Sequence, residues 1–253
     1  MGKDGNENED LLLQALDNKK FSELNDNLQQ MIVDMTENSV LPNTLINAEK
    51  EGGQEKTDLV VVIENQKFNI SIKKGGGNSV HQEKVELFID SLKKEGFDIT
   101  EDLANELRFF SWCDGTYDGS GKVSDRVGAR EFPKRYPEIT DHLREFCKDN
   151  KRRLIERFII KGRNSNVTPD FLYYGTPDEG VIMKTKDILD WLCEDGREST
   201  TAAVPVGKLT MQMWNPVLNG NPNTENKRGT IQLKWGSVGK DLIEIRKEIN
   251  NGE

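Results

Sequence analysis

The chain is poor in cysteine, histidine and proline, with three, two and eight of them among 253 residues. Cys113, Cys147 and Cys193 are odd in number and far apart, so neither a disulfide framework nor a zinc-ligand spacing is available. A reducing, cytoplasmic setting is the expectation. The lone histidines His81 and His142 offer no Ser-His-Asp or Cys-His arrangement. No apolar run approaches membrane-spanning length, and the acidic opening GKDGNENED is unlike a secretion signal and reads as a frayed tail. Positive charge is not in excess either: 35 Lys and Arg stand against 44 Asp and Glu, a net −9, which argues against a protein that coats nucleic acid by charge alone. What is present suits a folded domain. Apolar residues make up 34%, with four Trp and ten Phe, and one domain over residues 1–253 is expected.

Periodicity divides the chain into elements. Leu11–Leu13, Leu24, Leu28, Met31, Ile32 and Met35 are spaced for one or two N-terminal helices, and Asn43 can cap a short helix reaching Lys50. Leu59–Glu64 and Lys67–Lys73 are rich in Val, Ile and Phe and read as a hairpin about Asn65-Gln66. Glycines 75–77 break the second strand, and a helix is expected from Val80 to Lys94, capped by Asn78 or Ser79. Further helices are expected after Thr100, over Ile139–Lys161, over Asp187–Cys193 and over Lys240–Ile249. FLYYG, GVIMK, KLTMQMW and GTIQLKWG read as strands. The whole predicts an α/β (α+β) fold: a mixed β-sheet flanked by helices. The core covers about residues 43–112, and residues 113–253 complete the sheet.

The hairpin concentrates the chemistry. Asp58 opens its first strand, and Lys73 ends its second. Alternation puts Ser71 and Lys73 on one face, and the hairpin turns Asp58 toward them. A carboxylate, a lysine and a nearby glutamate suit metal-assisted phosphodiester hydrolysis. A hard cation such as Mg²⁺ prefers carboxylate, carbonyl and water oxygens, and a lysine beside it can orient water or neutralise phosphate charge. The glycine loop before the expected helix adds backbone amides for anions.

In the order Asp58, hairpin, Ser71-Ile72-Lys73, the stretch from about Asn43 to Leu92 resembles the PD-(D/E)xK nuclease superfamily and, within it, the type II restriction endonucleases. The resemblance implies a restriction-endonuclease-like core, Mg²⁺-dependent cleavage of double-stranded DNA and a homodimer; a companion methyltransferase cannot be inferred. It implies that Asp58 is the first metal-binding acid, Lys73 the catalytic lysine and the Ile72 carbonyl a metal ligand. Thr57 stands where proline is frequent, and Ser71 stands where a second acid is usual. Glu83 is the first candidate for the missing acid and for catalysis, Glu86 the alternative one turn along, and Glu49 or Glu51 a further source. A binding or regulatory module that has lost its acid, and a nonspecific defence or repair nuclease, are the competing readings.

Other features are less specific. Arg153, Arg157 and Lys161 line one face of the expected long helix and, with Arg163, could meet phosphates, although a solvated face accounts for them equally well. Lys227, Arg228, Gln232 and Lys234 could contact DNA, the last two as base readers, but an exposed strand face is the simpler account. DGTYDGSG lacks the register of a calcium-binding loop. Pro169-Asp170 has no acid and lysine two apart downstream.

Overall fold

The computed structural model describes residues 3–37, 40–51, 56–76, 78–162, 167–199, 203–214 and 218–252. In chain order the strands are β1 (Lys19–Lys20), β2 (Leu45–Lys50), β3 (Leu59–Ile63), β4 (Gln66–Lys73), β5 (Asn78–Lys84), β6 (Phe171–Gly175), β7 (Gly180–Lys184), β8 (Val204–Val206), β9 (Leu209–Met213) and β10 (Thr230–Trp235). The helices are α1 (Lys3–Leu16), α2 (Asp26–Thr36), α3 (Val85–Lys94), α4 (Glu101–Trp112), α5 (Phe132–Arg135), α6 (Pro137–Asp149), α7 (Lys151–Glu156), α8 (Thr185–Cys193), α9 (Pro222–Glu225) and α10 (Val238–Gly252). Two compact units result. One comprises residues 1–78, 159–191 and 236–253, the other residues 79–158 and 192–235.

The first unit holds a six-stranded mixed sheet in the order β1-β2-β3-β4-β6-β7. β3 and β4 form the expected hairpin, with Leu59 opposite Ile70 and Ile63 opposite Gln66. Glu64 and Asn65 both take positive φ, the backbone a tight hairpin turn demands. β4 then pairs in parallel with β6, so the sheet is mixed. The sheet residues Ile46, Val61, Ile63, Ile70 and Tyr173 are buried in one cluster with Leu12 and Leu16 of α1 and Leu28 and Ile32 of α2. Each such side chain contributes roughly 1.5–3 kcal/mol on burial. α2 starts where Asn25 accepts the Leu28 N–H at 2.9 Å and ends at Glu37 in the left-handed region.

Two elements differ from expectation. Leu45–Lys50 is a strand, not a helix begun at Asn43, because it pairs antiparallel with β3 from Ile46–Ile63 to Lys50–Leu59. A ladder on offer from a neighbour overrides a weak local preference. The acidic opening is not a frayed tail: from Lys3 onward it is helix α1, with Asn8 and Glu9 buried.

The second unit holds a four-stranded sheet in the order β5-β10-β9-β8. β9 and β10 pair antiparallel, with Gln232 opposite Gln212 and Lys234 opposite Thr210. The expected helix from Val80 begins only at Val85, because residues 78–84 form an edge strand of this sheet. α4 begins where Thr100 caps the Leu103 N–H. The expected helix over residues 139–161 is interrupted. α6 ends at Asp149, Asn150 turns its amide back onto the Phe146 carbonyl at 3.0 Å, and after α7 a π-turn spans Arg157–Lys161. Among the described residues no helix is long and apolar enough to cross a membrane.

Candidate functional site

In the first unit the hairpin register places Asp58 across from Ser71. Its backbone N–H donates to the Ile70 carbonyl at 2.8 Å. The Asp58 side chain is buried, and one oxygen, Oδ2, accepts from the Ile72 N–H at 2.6 Å, Ser71 Oγ at 3.2 Å and Lys73 Nζ at 3.3 Å. Lys73 also donates to Ser71 Oγ at 2.8 Å and to the Ile72 carbonyl at 2.7 Å. Its ammonium therefore occupies a cage of carboxylate, hydroxyl and carbonyl oxygens. Ser71 Oγ helps to keep the lysine in that cage. Beside it, the Thr57 hydroxyl is buried without a partner among the described residues.

A second carboxylate comes from α1. Glu9 is 5% exposed and accepts from Lys50 Nζ at 3.2 Å. Burial pushes its pKa above the ordinary value and the Asp58 charge pushes it further, while Lys50 and Lys73 partly offset this. The Asp58 charge raises the cost of ionising Glu9, a field that a cation relieves. α1 is anchored to the sheet and to β2. Asn8 donates to the Gly175 carbonyl at 2.9 Å, Lys50 bonds Asp10 at 2.7 Å, and Asp17 accepts from the Ala48 N–H at 3.0 Å. The only sequence signal for Glu9 was the helical leucine spacing that follows it. The expected alternatives in this unit do less: Glu49 is exposed on β2, and Glu51 meets Asp58 through backbone atoms.

The donor set fits a hard divalent cation. Asp58, the Ile72 carbonyl and Glu9 are oxygen ligands of the kind Mg²⁺ takes, with the remaining positions left to water. Lys73's ammonium already marks the Asp58 and Ile72 oxygens as a cation position. Among the described residues no three His, Cys, Asp or Glu side chains cluster tightly enough to hold an ion unaided.

Several expected site residues are placed otherwise, in the second unit. Glu83 is on strand β5 rather than on a helix, and it is a closed ion pair. Its Oε2 receives Arg157 Nη2 at 3.0 Å and lies 2.8 Å from His81 Nε2, and Ser91 Oγ reaches Oε1 at 3.4 Å. Burial alone would raise its pKa, but the His81 hydrogen bond and the Arg157 charge outweigh it and hold the carboxyl below its ordinary range. A carboxylate so satisfied has no oxygen in surplus for a metal. Arg157, expected to meet phosphate, is fully buried, and its guanidinium also serves Glu95 at 2.7 Å. Its charge belongs to the core. Glu86 is exposed and bonded by Arg108 at 2.9 Å, an ordinary surface pair.

The remaining DNA candidates divide. Arg228 is buried and bound to Asp114, which makes it a structural pin for the DGTYDGSG turn. Gln232 is 4% exposed and receives the Gln212 amide at 3.3 Å, so it is not free to read a base edge. Arg153 lies over the Phe97 ring at 3.9 Å and donates to the Glu95 carbonyl, yet stays exposed. Lys161 and Lys227 are exposed, Lys234 is half-buried, and Arg163 lies outside the described residues. Asp170 of the rival Pro-Asp pair accepts from the Asn69 N–H at 2.8 Å and splices β4 to β6. The two buried thiols are inert: burial pushes Cys113 up to about 11 and Cys147 up to about 12.

No protein-family model matches the chain, and no curated protein matches it in sequence. Among solved structures, restriction endonuclease MspI in complex with its cognate DNA matches with a TM-score of 0.57, covering 89% of this chain and 87% of that one at 14% identity. The fold is restriction-endonuclease-like. In that restriction-endonuclease-like fold the Asp58–Lys73 cage sits at the mouth of the hairpin in the mixed sheet.

Proposed function

We propose that this protein is a divalent-metal-dependent endonuclease that hydrolyses phosphodiester bonds of double-stranded DNA, acting at specific sequences as a type II restriction enzyme and as a homodimer. One observation carries the reading: on a restriction-endonuclease-like fold, Asp58, Ser71, the Ile72 carbonyl and Lys73 converge within hydrogen-bond distance at a strand end. Asp58 and the Ile72 carbonyl would hold Mg²⁺, and Glu9, rather than Glu83, would supply the second acid. Bound there, the ion supplies a water of lowered pKa and neutralises charge on the phosphate. The protein's own part is positional. Lys73 leaves the Ile72 carbonyl and gives its N–H groups to the phosphate or to the attacking water. Ser71 Oγ keeps the ammonium within reach, and the buried Asp58 shields the cage from bulk solvent.

Digestion of plasmid DNA with and without Mg²⁺ tests the reading. Discrete fragments are expected. A smear would replace sequence-specific cutting with nonspecific cutting, and intact DNA with a gel shift would make the protein a binder. Lys73→Ala is expected to lower cleavage by about 10²–10⁴-fold, the range for removing a group that moves or orients a proton, with duplex binding retained. Cleavage at the wild-type rate would remove Lys73 from the site.

A further inference from the structure

The second unit carries a pair of lysines that the acidic remainder of the protein leaves unneutralised. Lys84 ends β5, and its Nζ donates to the carbonyls of Asn226 at 2.5 Å and Arg228 at 2.6 Å. Those two carbonyls flank Lys227, so Lys84 clasps the backbone on either side of a second lysine. Lys227 in turn lies over the Trp214 ring, 5.0 Å from its centroid. Both side chains are on exposed residues. The nearest acid of the turn, Glu225, is engaged elsewhere: it accepts from Arg126 at 2.8 Å and stands 3.7 Å from Arg228. Asp114 is taken by Arg228. Among the described residues neither lysine ammonium forms an ion pair, although Asp and Glu outnumber Lys and Arg by 44 to 35 across the chain. Burial lowers the Lys84 pKa, and the Lys227 charge lowers it further, the mark of two like charges held together.

Lys84, bonded to the carbonyls on either side of Lys227, feels that residue's charge, and a bound anion offsets such repulsion. Lys84 spends two of its three N–H donors on carbonyls, which fixes its position and leaves one donor outward. Lys227 is steadied by an aromatic face, and among the described residues its donors meet no protein acceptor. Both lysines thus keep donors available to an anion. An isolated phosphodiester suits the pair, being a single diffuse charge with two oxygens to share between two donors.

We propose that Lys84 and Lys227 form a phosphate subsite that grips one backbone phosphodiester of duplex DNA, apart from the catalytic cage. The inference rests on the nuclease reading for the identity of the ligand, but not on any residue of the cage. The test is duplex binding by the full chain in EDTA, measured across a salt series. Neutralising one phosphate contact lowers the slope of log K against log salt by about 0.9. Lys227→Gln is expected to lose about that much slope, and Lys227→Arg to keep it. Lys227 is exposed, so neither change endangers the fold; Lys84→Gln, which also gives up two carbonyl caps, is read only beside a thermal melt. An unchanged slope in Lys227→Gln, with wild-type duplex binding intact, overturns the subsite and leaves the nuclease reading standing. A wild-type chain that binds no duplex at any salt overturns both.

Discussion

Glu9 and Glu83 are both glutamates with little solvent contact, and the two units treat them in opposite ways. Glu83 is surrounded by donors: Arg157, His81 and Ser91 all reach it, and its carboxyl sits below the ordinary range. Glu9 has one lysine within bonding distance and the charge of Asp58 pushing against it, and its carboxyl sits above that range. The first is an ion pair finished by the chain itself. The second keeps a carboxyl that its one lysine does not return to the ordinary range, and perturbed carboxyls concentrate at functional sites. Burial and residue type are shared, so neither would have told the two apart. The partners do.

The largest effect that sharpens this contrast is on stability. Glu83→Gln takes from buried Arg157 its buried counter-charge and leaves only the more exposed Glu95, and removing one partner of such a pair costs about 3–5 kcal/mol. A thermal melt is expected to drop by roughly 10 °C, given about 2–4 °C per kcal/mol for chains of this size. DNA cleavage per folded molecule should stay unchanged. A Glu83→Gln protein that melts normally but no longer cuts would return Glu83 to the metal site.

Next comes pH. Glu9's folded pKa is raised, so its ionisation opposes folding: stability is greatest below the unfolded value and declines as pH rises through the folded value. Glu9→Gln is therefore expected to be at least as stable as wild type at neutral pH, with the gap closing in acid. Added Mg²⁺ should raise the wild-type melting temperature more than that of Glu9→Gln. Equal Mg²⁺ shifts in the two proteins would remove Glu9 as a ligand. Glu83 runs the other way: its folded pKa is lowered, so its contribution is full above the unfolded carboxylate pKa and is lost as pH falls through the folded value. Acid should thus loosen the Glu83 cluster while relieving Glu9.

The smallest effect is expected at Glu86. Its pair with Arg108 has an exposed carboxylate, and such pairs contribute about 0–1 kcal/mol. Glu86→Ala should leave the melt within a few degrees and cleavage intact. A large loss of cleavage would show that Glu86 reaches the chemistry after all.

The hairpin was legible because its cause is local. Leu59–Ile63 and Phe68–Ile72 are β-branched and aromatic, and their register, once the turn is placed, obliges Asp58 to meet Ser71 and Lys73. FLYYG, GVIMK and the β9–β10 pair were legible for the same reason. β2 and β5 were not. Their sequences, LINAEK and NSVHQEK, are polar enough to serve as helix or loop, and only an adjacent strand with unpaired N–H and C=O groups makes them extended. Arg157 was misplaced by its charge, since nothing within its own helix announces Glu83 waiting 74 residues away.

Taken alone, the amino-acid order determined the alternating strands, the capped helices and the meeting of an acid with a lysine two residues past its hairpin partner, because steric preference and register act over a few residues. Only the tertiary structure decided which glutamate is spent on an arginine and which stands in the field of another carboxylate. Solvation and Coulomb energy depend on what surrounds a charge in space, and the neighbours of Glu9 and Glu83 come from segments far along the chain.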